Sequence, residues 1–175
     1  MHKVLLTGAS GFLGRHCVEV LGTQFEVHAV SRSLETPAAP NIHWHQIDLF
    51  RRESVAELLR QVRPSHLLHL AWVTDPATYR DSAANLDWLA ASVHLLRAFA
   101  DNGGQRVVVA GSCAEYDWSY GVCDEATTPV RPANLYGICK NALREVLEAY
   151  ARQTGLSAAW GRVFFFMDRA SIQID

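Results

Sequence analysis

Several things are missing from this sequence, and each absence narrows the field. There is no basic run and no acidic tail, and the formal net charge is −2 with the eight histidines neutral. That excludes an electrostatic grip on nucleic acid, and no basic stripe with interleaved aromatics suggests otherwise. No apolar stretch is long enough to span a bilayer. The opening residues, MHKVLLTGASGFLG, start like a secretion signal but break at Gly8 and Gly11, with Arg15 following. They read as a buried strand and its turn. The four cysteines, Cys17, Cys113, Cys123 and Cys139, make no CxxC pair, which predicts reduced thiols in a cytoplasmic protein. His43 and His45 alternate on one strand and His66 and His69 flank another, yet no carboxylate or cysteine cluster completes a ligand set. No metal site is expected. Internal repeats and low-complexity segments are absent as well.

What is present suits one soluble globular domain: 175 residues, 49% hydrophobic and 19% charged, enough for a real core. Short runs rich in Val, Leu and Ile predict strands at 3–7, 26–30, 42–47, 66–71, 106–111 and 157–166. They lack strict alternation, as strands buried on both faces of a parallel sheet do. Between them helices are predicted at 12–22, 51–62, 82–101 and 135–153. Leu86, Leu89, Val93, Leu96 and Ala100 form an apolar stripe on the third, and Ala142, Val146 and Ala149 one on the fourth. The alternation predicts an α/β fold of three layers, a doubly wound parallel sheet with ligands at the carboxyl ends of its strands.

TGASGFLG places Gly8, Gly11 and Gly14 three residues apart, directly after the first strand and opening the first helix. In that context glycines have distinct uses. Gly8 makes a tight turn, Gly11 lets backbone N–H groups approach a pyrophosphate, and Gly14 lets helix and sheet pack closely. The helix N-terminus then faces the negative charge. After the second strand an NAD site usually carries an acidic residue for the ribose 2′-hydroxyl. Here Ser31, Arg32 and Ser33 stand in that place. Arg32 is either a partner for a 2′-phosphate, which favours NADP over NAD, or a solvated loop residue. Asp48 either meets an adenine amino group or caps the helix starting near Arg51.

At this point the sequence resembles the extended short-chain dehydrogenase/reductase family, the Rossmann-type sugar-nucleotide epimerases, dehydratases and reductases. The resemblance rests on TGASGFLG (7–14), HLAW (69–72), VVVAGSCAEY (107–116), Tyr136 and Lys140 in RPANLYGICK, and WGRVFFF (160–166), in the correct order over nearly the whole chain. It implies a catalytic set of Ser112, Tyr136 and Lys140. Tyr136 exchanges a proton with the substrate, Lys140 lowers the phenol pKa and holds the nicotinamide ribose, and Ser112 hydrogen-bonds the reacting oxygen. The plain alternative for Ser112 is a turn or cap serine. Implied cofactor contacts are Gly8, Ser10, Gly11, Phe12, Leu13, Gly14, Arg32, Asp48, Leu49, Leu70, Ala71 and Trp72, together with Tyr136 and Lys140. The implied substrate is a nucleotide sugar.

The departures from the family pattern carry information. Where the 4,6-dehydratases of this family have Asp-Glu after the catalytic Ser or Thr, this chain has Cys113 and Ala114, with Glu115 one place later. That argues for an epimerase or reductase. The family's asparagine in the third helix aligns with Trp88, and Asn85 lies one turn earlier. The family's Gly-Pro loop and C-terminal substrate lobe find no counterpart, so residues 1–175 are expected to form a single dinucleotide-binding domain. Apolar surface around Phe164–Phe166 is an aggregation or pairing liability, and a homodimer is among the expectations. The competing expectations are a catalytically inactive dinucleotide-binding module and a non-functional fragment.

Overall fold

The computed structural model describes residues 1–33 and 39–164. Six strands form one sheet: β1 (Lys3–Thr7), β2 (Glu26–Ser31), β3 (Ile42–Gln46), β4 (His66–His69), β5 (Arg106–Ser112) and β6 (Ser157–Val163). They are parallel, in the order β3-β2-β1-β4-β5-β6. Four helices connect them: α1 (Phe12–Gly22), α2 (Arg52–Val62), α3 (Ala84–Asp101) and α4 (Leu135–Thr154). The chain starts in the middle of the sheet, steps out to β3, then returns to β4 on the other side of β1. The strand order therefore reverses between β1 and β4, where open α/β sheets hold ligands.

Burial explains why β1 reads as a continuous apolar run. Leu5 and Leu6 point to opposite faces and neither exceeds 1% exposure. Leu5 belongs to the larger core, with Leu59 of α2, Phe99 of α3 and Leu143 and Leu147 of α4. Leu6 belongs to the smaller core, with Val18 of α1 and Val27 and Ala29 of β2. Burying each such side chain is worth about 1.5–3 kcal/mol, and together they fix the three layers of a Rossmann-like fold.

Two helix faces differ from the sequence expectation. On α4 the buried side chains are Tyr136, Cys139, Lys140, Leu143 and Leu147, while Val146 is 44% exposed. Both stripes follow three- and four-residue steps, so periodicity alone could not choose between them. The winning stripe includes a buried lysine, which a hydropathy pattern counts against. On α3, Leu86 is exposed and the buried residues include Asn85, Ser92, Leu95, Leu96 and Phe99. Asp48 does not cap α2, whose N-cap residue is Arg51. Its Oδ1 instead accepts from the Phe50 N–H at 3.0 Å, in a local turn just before the helix. The predicted extension of the last strand to 166 falls partly outside the described residues.

Candidate functional site

The turn after β1 is shaped by what a side chain there would hit. Gly8 has φ +73°, and a Cβ on it would lie 2.8 Å from the Ala71 nitrogen and 2.9 Å from the Leu70 carbonyl carbon. A Cβ on Gly14 would lie 2.0 Å from the Gly8 oxygen. The glycines thus bring the first turn of α1 hard against the Gly8–Ala9 backbone that leaves β1, and the turn itself against the residues that follow β4. Ser10 ties this turn to the end of β2, since its Oγ accepts from the Ser31 hydroxyl at 2.9 Å.

A cavity of about 970 Å³ opens over this edge of the sheet. Gly8, Gly11, Phe12, Leu13, Gly14, Leu70, Ala71 and Trp72 line one part of it, and Ser112 and Tyr136 another. Arg32 and Asp48 line a second cavity of about 390 Å³, with Arg51 and Ser54. Leu49 is buried in the larger core and lines neither cavity. Lys140 also lines neither: it is 3% exposed, with Trp72 standing against it.

The groups implied as catalytic come from two elements, β5 and α4. Ser112 ends β5, and its Oγ accepts from the Ala114 N–H at 3.1 Å, capping a 3₁₀ turn over Cys113–Glu115. Asn134 caps α4, its Oδ1 accepting from the Gly137 N–H at 2.9 Å. That places Tyr136 in the first turn and Lys140 one turn later on the same face. Lys140 Nζ donates to the Ala110 carbonyl at 2.9 Å and lies 4.0 Å from the Trp72 ring centroid and 5.9 Å from that of Tyr136.

The electrostatics run against the sequence expectation for the phenol. Burial pushes the Tyr136 pKa up, the Ser112 side chain's hydrogen bond pulls it down, and Tyr79, Glu115 and Cys113 push it up further. Burial also drops the Lys140 ammonium to about 7, opposed in part by Glu115. A buried ammonium at such a value is a weak lever on its neighbour, so desolvation decides the sign at Tyr136. Beside Lys140, His69 bridges the Thr7 hydroxyl at 2.6 Å and the Ser92 hydroxyl at 2.8 Å. Its burial, with Lys140 nearby, lowers it to about 3, so it is neutral at ordinary pH.

One carboxylate at the site, Glu115, shows in the sequence only as a residue displaced from the dehydratase position. Glu115 is 0% exposed. It accepts from the Ser112 N–H at 2.7 Å, from Trp160 Nε1 at 3.1 Å and from Arg162 Nε at 2.9 Å. The signal was the spacing Ser112-x-x-Glu115, a capping box, and the structure forms both of its bonds. Gly111 makes room for this cluster: a Cβ there would lie 2.0 Å from Trp160 Nε1 and 2.7 Å from Glu115 Oε1.

Residues 4–167 match the model of the NAD dependent epimerase/dehydratase family. A dTDP-6-deoxy-L-talose 4-dehydrogenase (NAD(+)) from Aggregatibacter actinomycetemcomitans is 30% identical over 169 residues, covering 93% of this chain and 61% of the relative. A GDP-6-deoxy-D-talose 4-dehydrogenase from the same organism is 24% identical, covering 89% of this chain and 50% of the relative. Among solved structures, the Thermus thermophilus UDP-glucose 4-epimerase in complex with NAD is 27% identical with a TM-score of 0.76, covering 91% of this chain and 54% of the other. The chain thus spans half to about three-fifths of the length of these proteins. Among the described residues no helix is long and apolar enough to cross a membrane.

Proposed function

Because the chain belongs to the NAD dependent epimerase/dehydratase family, we propose that it is a dinucleotide-binding domain whose cavity also serves hydride transfer at a carbon–oxygen centre of a nucleotide sugar. The observation that carries this reading is the glycine cradle at the strand-order reversal. A Cβ on Gly8 or Gly14 would collide with neighbouring backbone, and the turn lines a cavity that runs to Ser112 and Tyr136. Such a cradle fits a pyrophosphate, with backbone N–H groups and the start of α1 facing the charge. The relatives named as sugar-nucleotide enzymes support the substrate class.

A bound nicotinamide ring supplies a hydride acceptor or donor. The chain's own residues do the rest. Tyr136, held in its protonated form by burial, gives a proton to a carbonyl oxygen being reduced, or takes it back in the reverse direction. Ser112, with its backbone pinned by Glu115, offers its hydroxyl to the same oxygen. Lys140 stands one turn behind the phenol, its Nζ 5.9 Å from the Tyr136 ring centroid. With Cys113 and Ala114 after Ser112 there is no acid–base pair for elimination, which favours an epimerase or reductase. Cys113 is buried, with its thiol pKa raised by that burial, and takes no part.

NAD is the dinucleotide in the relatives' names. Arg32 and Arg51 beside the second cavity support room for a 2′-phosphate as well, with Asp48 on the same lining. Binding is read from NADH and NADPH fluorescence enhancement. Arg32→Ala is expected to weaken NADPH by about ten- to a hundredfold, the worth of a charged hydrogen bond, with little change for NADH. Equal weakening of both removes the 2′-phosphate assignment. Failure of the wild-type chain to bind either removes the function.

A further inference from the structure

Asn85 is polar, 0% exposed and outside the chemistry described above. It stands in the first turn of α3, one turn before the position where the family pattern has its asparagine. Its side chain makes three hydrogen bonds. Oδ1 accepts from Trp72 Nε1 at 2.8 Å, and Nδ2 donates to the carbonyls of Tyr79 at 2.6 Å and Ser82 at 2.9 Å. Only an amide offers one acceptor and two donors in a single plane; a carboxylate lacks the donors and an aliphatic side chain lacks all three.

Each bond leads to a member of the candidate dyad. The bond to Trp72 fixes the plane of the indole, the ring type that best attracts a cation, whose centroid lies 4.0 Å from Lys140 Nζ. The bonds to Tyr79 and Ser82 fix the segment 79–82. That segment holds Tyr136 twice: the Tyr79 ring meets the Tyr136 ring edge-on at 4.8 Å, and the Arg80 carbonyl accepts the Tyr136 N–H at 2.9 Å. Trp72 lines the cavity while Lys140 does not, so the indole's placement governs how the ammonium meets anything bound there.

We propose that Asn85 is a positioning residue for both members of the dyad at once, setting Lys140 through Trp72 and Tyr136 through the 79–82 segment. The inference rests on the reading of Tyr136 and Lys140 as a working pair.

The sequence allows a direct test, because Lys3 and Lys140 are its only lysines. A chain labelled with ¹³C and ¹⁵N at lysine alone gives two side-chain signals, and the Lys3 side chain, 39% exposed, is the internal reference. Protons over the face of an aromatic ring are shielded, so the Lys140 ε-methylene signal is expected upfield of Lys3. Asn85→Leu, similar in size but without the three bonds, is expected to move that signal toward Lys3 and, in a second sample labelled at the tyrosine rings and assigned with Tyr136→Phe, to shift the Tyr136 ring signals. Trp72→Phe keeps Asn85's bonds to 79–82, so it is expected to move the Lys140 signal and leave Tyr136 in place. A purely structural Asn85 would lower the melting temperature and leave both signals of the folded chain where they were; that result overturns the proposal. If Asn85→Leu does not fold, Asn85→Asp decides, since it keeps the acceptor for Trp72 and loses both donors to the 79–82 segment: unmoved Tyr136 ring signals overturn the proposal too. Wild-type failure to bind a dinucleotide defeats the functional reading, whereas the lysine signals still judge this one.

Discussion

Glu115→Gln is the most informative single perturbation of this fold. The wild-type carboxylate is fully buried and faces Arg162 Nε at 2.9 Å, with the Arg162 side chain 13% exposed. Glutamine has nearly the same shape, and its Oε1 can still accept from the Ser112 N–H or from Trp160 Nε1. It cannot neutralise the guanidinium, which is left with the Tyr116 hydroxyl at 3.3 Å and the Tyr116 ring at 4.8 Å. Removing one partner of a buried pair costs about 3–5 kcal/mol. For a chain of this length about 2–4 °C is lost per kcal/mol, so the melting temperature is expected to fall by about 6–20 °C. The double variant Glu115→Gln/Arg162→Met removes the orphaned charge as well and is expected to recover most of the loss. Urea unfolding of wild type, both single variants and the double variant yields the coupling energy. A Glu115→Gln chain within about 1 kcal/mol of wild type, or a double variant as weak as the single one, would refute the reasoning.

Other consequences follow from the same structure. Gly14→Ala puts a methyl group 2.0 Å from the Gly8 oxygen; overpacking of this kind costs about 1–3 kcal/mol, and calorimetry should show dinucleotide binding lost with it. Lys140 titrates at about 7 in the fold and near 10.4 when unfolded. Between those values only the unfolded chain holds the proton, so this group makes stability rise with pH. The gap in urea midpoint between wild type and Lys140→Met should therefore change steadily from pH 7 to 10, and parallel curves would contradict it. His28, lowered to about 4 chiefly by burial, works at the acid end: the unfolded chain protonates first, and stability falls as pH drops from about 6.5. His28→Gln should flatten that loss in denaturation curves taken at pH 7 and 4.5.

Much of the architecture was readable because it is local. Residues 3–7 and 12–22 declare a strand and a helix through apolar runs and glycine spacing, and the structure places both at those bounds. The glycine turn was equally legible, since Gly8, Gly11 and Gly14 have few other uses between a strand and a helix. What escaped depends on tertiary partners. The buried face of α4 carries Lys140, which the Ala110 carbonyl and the Trp72 ring help make tolerable. The direction of the Tyr136 shift follows from burial that no spacing encodes. Glu115 gains its meaning from Trp160 and Arg162, some 45 residues away in sequence. Asn85 is an ordinary polar residue until Trp72 and the 79–82 segment close around it. His43 and His45 lack a metal-ligand set in the sequence, and what spacing does not show is that His45 meets His28 at 2.9 Å and the His43 ring stacks on that of His28 with centroids 5.0 Å apart.

The measurement that bears most directly on the central claim is isothermal calorimetry of the purified chain with NAD and with NADP. A pyrophosphate in the Gly8–Gly14 cradle predicts saturable binding of about one equivalent. A folded wild-type chain that gives no heat with either dinucleotide would contradict the account.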